Sequence, residues 1–194
     1  MTLREYLAIA RRWWWAVLLG GMIAGLASWF ITSRMDRVYE ARSQILVNQV
    51  ANQAAPTYND ILGSQSLTRT YAQLVTSTGN LSRASDALRD QSIESLKEKV
   101  RARALPETQL IEIRAEDSSP ERAALVANTV ANSFPGFIEQ AQLAGTSSEG
   151  SRPLNTVFVA EQARAPVDAA RPNTTLNVTL GVVIGLVLAV AAVA

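Results

Sequence analysis

The chain has 194 residues and a formal net charge of +1, and it contains neither cysteine nor histidine. Disulfides and thiolate metal sites are therefore excluded, and the commonest general base and metal ligand is missing. Residues 33–173 are close to neutral, so they lack the basic footprint that nucleic-acid binding requires. No set of catalytic, cofactor-binding or metal-binding residues is found, which favours a protein that is not an enzyme.

The first predicted element is a membrane-spanning helix over residues 13–32, a stretch without a charged residue. At about 1.5 Å per residue, a helix of this length crosses the roughly 30 Å bilayer core. Short segments rich in Lys and Arg stay in the cytoplasm, and tryptophan collects at the headgroup level. We therefore predict a cytoplasmic N-terminus over residues 1–12. The predicted interface anchors are Arg11, Arg12, Trp13, Trp14 and Trp15.

A secretory signal peptide shares several of these features. It also begins with basic residues and an apolar stretch, and Gly25 with Ala27 resembles a cleavage site. The apolar run, however, continues past that pair through residues 29–31. This continuation favours an uncleaved membrane anchor.

Residues 33–173 predict one α+β domain outside the cytoplasm, with helices packed on a small mixed sheet. Side chains alternate from Tyr39 to residue 48, which is typical of a half-buried strand. Asp60 is the predicted N-cap of a helix that reaches residue 77, and Gly79 is expected to end it. Short helices are predicted over residues 81–88 and 93–99. The charged segment 92–103 has helical spacing and favours a solvated helix face, with binding of an acidic polymer as the alternative.

The second half of this domain predicts two further strands and one long helix. Residues 110–115 alternate as in a strand, and Ser119 with Pro120 is typical of a helix start. Pro135 lies inside the helical pattern, so we expect a kink or break near Phe134. A flexible linker over residues 145–152 then leads to a short strand that ends near residue 162.

The last predicted element is a second membrane span over residues 174–194, again without charge. Each span contains two glycines four residues apart, namely Gly21 with Gly25 and Gly181 with Gly185. Such glycines lie on one helix face and permit close approach of two backbones. We predict that they pack the spans on each other or on neighbouring subunits. No basic anchor follows the second span, so we expect the natural protein to continue beyond residue 194.

Three blocks of residues resemble the chain-length determinant family, the polysaccharide co-polymerases. The first block is LREYL (3–7), Arg12, WW (13–14), and VYEA (38–41) entering a strand that ends in ILV (45–47). The second is TQLIEI (108–113) with SPERAA (119–124) and AN (127–128), similar to the branch found in Gram-positive and actinobacterial exopolysaccharide systems. The third is Pro166 and Pro172 before the second span, and together the blocks cover nearly the whole chain.

The resemblance implies a non-catalytic membrane protein that oligomerises through its extracytoplasmic domain. It implies control of the length or export of a surface polysaccharide, with the polymerase and export machinery as partners. It also implies modulation of a cytoplasmic tyrosine autokinase, either separate or fused. Within this reading, Tyr39, Glu40, Pro166 and Pro172 form a membrane-proximal segment that couples the domain to the helices. The domain lacks the long coiled extension of Gram-negative members, so a tall periplasmic cage is not expected.

Two other functions remain open at this stage. The chain is alternatively the membrane and sensor half of a tyrosine kinase whose ATP-binding domain follows residue 194. A further alternative is an extracytoplasmic sensor or adaptor with no connection to polysaccharide.

Overall fold

The structure is a computed structural model that describes residues 3–49, 58–145 and 155–193. Its contacts divide the chain into two compact units. The helical unit comprises Met1–Arg37 with Ala170–Ala194, and the sheet unit comprises Val38–Ala169. The elements in chain order are α1 (Leu3–Ser33), β1 (Tyr39–Gln49), α2 (Tyr58–Val75), α3 (Thr78–Leu88), α4 (Ile93–Lys99), β2 (Val100–Ala104), β3 (Leu110–Asp117), α5 (Pro120–Gly145), β4 (Asn155–Glu161) and α6 (Thr174–Val193).

The helical unit contains the two apolar helices that the sequence predicts. Trp14–Ser33 within α1 and Thr174–Ala192 within α6 are both long and apolar enough to cross a membrane. Most of their large apolar side chains face outward, as Met22, Leu26 and Leu188 illustrate with 60–64% exposure. Helices with apolar surfaces of this extent suit a lipid environment.

The sheet unit contains four strands in the order β2-β3-β1-β4, and every neighbouring pair is antiparallel. The prediction of a mixed sheet is therefore wrong. The helical crossover from β1 leads to β2, which runs parallel to β1 but lies one strand away. The β2-β3 hairpin then returns the chain between them, so the two parallel strands never pair. If β2 were absent, the chain leaving the helical crossover would enter a strand that pairs with β1 and runs parallel to it.

Strand β2 was not predicted, because residues 92–103 have helical charge spacing. The structure divides this segment at Lys99, where α4 ends, and only α4 agrees with the predicted helix. Val100 is buried, Ala102 and Ala104 are half-buried, and Arg101 and Arg103 are exposed. This alternation is the period of a strand with one buried face.

Three predicted details of the helices are corrected. Asp60 lies within α2, which begins at Tyr58, so it is not the N-cap. Gly79 lies in the first turn of α3, and the break between the helices falls at Thr76 and Ser77. The predicted break near Phe134 is absent, since helix α5 continues through Pro135 to Gly145, whereas a kink there stays a prediction. Phe134 and Ile138 on either side of Pro135 are buried, so core packing holds the helix against the penalty of about 3 kcal/mol for an interior proline.

Other predictions agree with the structure. Strands β1, β3 and β4 are confirmed, and α5 begins at Pro120 with the amide N–H of Arg122 directed at Ser119 Oγ over 3.4 Å. The predicted linker over residues 145–152 lies outside the described residues except for its first residue, Gly145.

Helices cover one face of the sheet and form the core with it. Phe134 of α5 is fully buried and contacts the rings of Tyr71 and Phe137 at centroid distances of 6.1 and 6.2 Å. Ile45 and Ile113 are fully buried on the strands below. The opposite face of the sheet, which we call the outer face, carries Glu40, Arg42, Leu46, Arg101, Arg103, Leu110, Glu112, Arg114, Glu116 and Phe158.

Replacement of Phe134 by alanine should destabilise the sheet unit by about 3–5 kcal/mol, because a buried aromatic side chain leaves a cavity that the core fills only partly. The measurement is guanidinium unfolding of the full chain in detergent micelles, followed by circular dichroism. The matched control is Phe158→Ala on the outer face, where the ring is 44% exposed and the expected loss is roughly 1 kcal/mol. Equal losses for the two variants would contradict this assignment of the core.

Candidate functional site

Helices α1 and α6 pack antiparallel along a seam of small residues. A Cβ atom added to Gly185 would lie 2.4 Å from Ala24 Cβ, and one added to Gly181 would lie 2.5 Å from Ser28 Cβ. The same atom on Gly25 would lie 2.6 Å from Val182 Cγ2. These separations are shorter than van der Waals contact, so glycine is what permits the close approach of the two backbones.

All four glycines singled out from the sequence lie in this seam within one chain. Gly21 faces Leu186, with 2.8 Å between its added Cβ and Leu186 Cδ2. Gly20, which the sequence analysis passed over, is in the same position against Ala189, at 2.7 Å. Its place directly before Gly21 is the sequence feature that indicates it.

A polar cluster joins α1 and α6 near the end of α1. Ser28 Oγ donates a hydrogen bond of 2.8 Å to the backbone carbonyl of Asn177, and Asn177 Nδ2 donates one of 3.3 Å to Thr32 Oγ1. Thr32 is only 3% exposed. Hydrogen bonds of this kind between two apolar helices contribute to their association. The sequence analysis did not identify this cluster, because its members are about 145 residues apart in the chain.

The predicted interface anchors lie on α1 itself. Arg11, Arg12 and Trp13 are within the helix, and the structure describes no side-chain surroundings for them. Trp14 and Trp15 are 61% and 54% exposed. Near the other end of α1, the Arg34 guanidinium lies 5.0 Å above the centre of the Phe30 ring. Aromatic and cationic residues at both ends suit a helix with two aqueous interfaces.

The predicted coupling residues are divided between the two units. Tyr39 begins β1 and packs against the core, whereas Glu40 lies on the outer face and pairs with Arg42 Nε at 2.8 Å. Pro166 is half-buried in the sheet unit, and Pro172 belongs to the helical unit. Joint action of these residues stays a prediction.

The outer face carries a network of ion pairs centred on Glu112. Its carboxylate contacts Arg103 Nε at 2.9 Å and Arg114 Nε at 2.5 Å. Burial alone would raise the pKa of Glu112, but hydrogen bonds and attraction from Arg114 and Arg103 hold this pKa below its usual value. Glu112 is therefore a charged residue that links β2 to β3.

A second buried carboxylate, Asp117, ties three elements together at the end of β3. It contacts Lys99 Nζ at 2.9 Å and accepts a hydrogen bond of 3.3 Å from the amide of Ser119. Burial opposes its ionisation, yet these partners lower the pKa of Asp117 from the ordinary value. Glu112 and Asp117 thus both belong to structural ion pairs.

Described residues of the sheet unit line open cavities, two of which bear on binding. The larger, about 410 Å³, is lined by Ser64, Gln65 and Gln109 with Leu46 and Leu110. The smaller, about 260 Å³, lies along the ion pairs of the outer face. Within the described part of the chain, no group of three or more acidic side chains is placed to hold a metal ion.

The combination of an antiparallel α+β unit and two apolar terminal helices is the fold of polysaccharide co-polymerases. A solved structure of a full-length bacterial polysaccharide co-polymerase superposes with a TM-score of 0.54 at 11% sequence identity, covering 99% of this chain and 96% of that one. At this level of identity the match shows the fold alone.

Sequence comparison finds similarity to one family in particular. The profile of the chain length determinant protein, Wzz, matches residues 1–88. The capsular polysaccharide biosynthesis protein CapA of Staphylococcus aureus is 30% identical over 118 residues, 60% of this chain and 52% of CapA. From Bacillus subtilis, the uncharacterized protein YveK is 26% identical over 72% of this chain, and the probable capsular polysaccharide biosynthesis protein YwqC is 29% identical over 57% of it. The chain spans 61% of YveK and 44% of YwqC. The predicted resemblance to the chain-length determinant family is confirmed.

Replacement of Gly185 by isoleucine should open the seam, because the added side chain meets Ala24 and the backbone of α1 at once. The chain contains no cysteine, so a Thr32→Cys, Asn177→Cys background gives an intrachain disulfide as the readout. We expect at least a fivefold slower formation of this disulfide in Gly185→Ile in detergent micelles. The control is Val187→Ile, where the native side chain is 62% exposed. Unchanged crosslinking in Gly185→Ile would contradict the seam, and disulfide-linked dimers would place these glycines between subunits.

Acid should weaken the sheet unit through Glu112. A carboxyl whose pKa is lowered on folding contributes stability that is present above its unfolded pKa, about 4.3 for glutamate, and is lost as the pH falls through the folded value. Unfolding titrations between pH 7 and pH 3 should show a smaller acid-dependent loss for Glu112→Gln than for the wild type. Glu98→Gln, a substitution of an exposed glutamate on α4, should follow the wild-type profile. Identical profiles for all three proteins would exclude this contribution.

Proposed function

We propose that this protein is a non-catalytic membrane scaffold that controls the length or export of a surface polysaccharide. One observation carries the proposal: two apolar helices packed through a small-residue seam flank an α+β unit of the co-polymerase fold. The relatives named as capsular polysaccharide biosynthesis proteins support a capsule-like product. The proposed partners are the polymerase and export machinery.

We place the protein in the cell membrane with its N-terminus in the cytoplasm and the sheet unit outside. The exposed apolar surfaces of α1 and α6 support a membrane location, since contiguous apolar surface of this size is rare on soluble monomers. Arg11 and Arg12 directly before the first span support the orientation.

We further propose that the protein oligomerises through surfaces other than the glycine seam. The seam within one chain already contains Gly21, Gly25, Gly181 and Gly185. Contacts between copies are then left to the sheet unit and to the lipid-facing sides of the helices. Four side chains of the sheet unit supply exposed apolar area for this purpose: Leu125, Leu143, Phe158 and Val167.

The most specific part of the proposal is modulation of a cytoplasmic tyrosine autokinase. It rests on the resemblance of residues 108–128 to the branch that works with such kinases. A kinase partner would receive its input through the α1–α6 pair, because these are the elements that cross the membrane. Tyr39, Glu40, Pro166 and Pro172 lie at the two chain connections between the units and are the proposed coupling residues.

Deletion of the gene should change the surface polysaccharide, and this experiment tests the function. We expect a shifted length distribution or a reduced amount on gels of extracted polymer, with restoration by the wild-type gene. A variant with Pro166→Ala and Pro172→Ala should reach normal protein levels without restoring polymer length, because it alters both prolines of the connection between the sheet unit and α6.

The matched control is Pro106→Ala in the exposed β2-β3 turn, which should restore polymer length fully. Phosphotyrosine blots of the same strains test the kinase: deletion should lower the signal. Polymer of unchanged amount and length after deletion would refute the proposed function, whereas an unchanged phosphotyrosine signal would refute only the kinase.

A further inference from the structure

Three arginines lie side by side across the outer face of the sheet. In the strand register, Arg114 of β3 is directly opposite Arg42 of β1 on one side and Arg101 of β2 on the other. We call these three residues the arginine row. Neighbouring strands are about 4.8 Å apart, so the row extends roughly 10 Å across the sheet. Like charges directly opposite each other destabilise a sheet, so the row calls for a physical explanation.

Carboxylates flank the row, but they are sheltered beneath it. Glu40 pairs with Arg42 at 2.8 Å and with Arg114 at 3.6 Å, and Glu112 pairs with Arg114 at 2.5 Å. The side chains of Glu40 and Glu112 are only 17% and 9% exposed, whereas that of Arg42 is 56% exposed. The ion pairs therefore turn their guanidinium side toward solvent. Glu116, opposite Glu40, adds one more acid at that end of the face.

The row keeps hydrogen-bond donors available. A guanidinium has five N–H donors. Among the described residues, Arg101 uses Nη1 for the carbonyls of Lys97 and Val100, at 2.6 and 3.0 Å, and no acid is recorded beside it. Arg103, 60% exposed, extends the basic surface along β2. A groove of about 260 Å³ runs along Arg101, Arg103 and Arg114, and Lys99, Ala102 and three glutamates of the outer face also line it. Its walls thus offer several outward N–H groups in fork geometry, which suits carboxylate or phosphate.

We propose that the arginine row binds acidic groups of the surface polysaccharide, either carboxylates of uronic acid type or phosphates. This inference rests on the proposed function and names the chemical class of polymer that the sheet unit recognises. An extended polymer can lie across three strands and meet the arginines in turn. The charge spacing of segment 92–103, taken alone, favours a solvated helix face. Strand β2 now places Arg101 on the same surface as Arg42 and Arg114.

A polymer fits this surface better than a second copy of the chain. The centre of a protein–protein interface is usually depleted of Lys, Asp and Glu, and it is enriched in aromatic side chains, Met and Arg. The apolar residues of the outer face, Leu46, Leu110 and Phe158, form their own row near the opposite end of the sheet. Glu40 and Glu112, acids of the kind depleted at such a centre, flank the arginine row, and a surface this charged suits a hydrated chain of sugars.

The test is binding of defined polymers to the full chain in lipid nanodiscs. The probes are polygalacturonate for carboxylate, polyphosphate for phosphate, and dextran as a neutral polymer. We expect binding of at least one acidic probe, none of dextran, and weaker binding as salt rises. Arg42→Gln with Arg101→Gln should lower the affinity at least tenfold. The control is Arg69→Gln with Arg164→Gln, two exposed arginines elsewhere on the sheet unit, with less than a twofold effect expected.

Further variants keep the test decisive. Arg101→Gln alone removes none of the ion pairs described above and should still weaken binding severalfold, even if the double variant folds poorly. Arg42→Lys with Arg101→Lys keeps the charge, loses the fork, and should bind with intermediate affinity. Equal losses in the control pair would indicate diffuse charge and overturn the site. A change in oligomer mass with unchanged polymer binding would assign the face to a second copy and also overturn it.

The outcomes separate this site from the proposed function. If gene deletion alters the polymer but the arginine variants bind normally, only the site is refuted. If the variants lose binding but deletion leaves the polymer unchanged, the site stands and the proposed function is refuted.

Discussion

In each unit of this protein, the first and the last element along the chain pair with each other. In the helical unit α1 packs against α6, and in the sheet unit β1 hydrogen-bonds to β4. These partners are more than 100 residues apart, so each pair closes a long loop. Closure of a long loop loses chain entropy before its contacts form, and that loss must be met by many contacts at once. Extensive α1–α6 packing and a ladder from Gln44 to Gln49 provide them.

Different physical forces close the two units. The sheet unit buries Ile45, Ile113 and Phe134 away from water, where the hydrophobic effect acts. Two helices in lipid gain nothing of that kind from each other, because lipid tails are as apolar as leucine. Their association depends on close backbone approach and on hydrogen bonds that lipid cannot replace. Gly181 and Gly185 provide the approach, and Asn177 provides the bonds.

The sequence was informative where a local pattern and the tertiary environment agree. The alternation in β1 and β3 predicted which side chains are buried, and Ser119 with Pro120 predicted the start of α5. Strand β2 was missed because its sequence, VRARA, consists mainly of residues with good helix propensity. Its strand conformation comes from the ladder with β3, a nonlocal partner. The mixed-sheet error followed from that one omission.

The same distinction between local and nonlocal patterns applies to the candidate functional surfaces. The glycines were found from their spacing, which is a local pattern, but spacing does not say which helix faces them. The polar cluster of Ser28, Thr32 and Asn177 has no local pattern, since its partners come from opposite ends of the chain. The arginine row likewise joins residues 42, 101 and 114, which only strand register brings together.

The arginine row also shows how a repulsive arrangement can be kept in a stable sheet. Carboxylates in the neighbouring rows offset this repulsion, because Glu40 and Glu112 each contact two arginines. The lowered pKa of Glu112 reflects that balance, because the carboxylate stays charged despite its burial. A neutral polar row such as Gln or Thr would have avoided the repulsion altogether. Within the described residues, these ion pairs account for Arg42 and Arg114. Arg101 belongs to none of them, and it is the arginine that the proposed anionic polymer would explain.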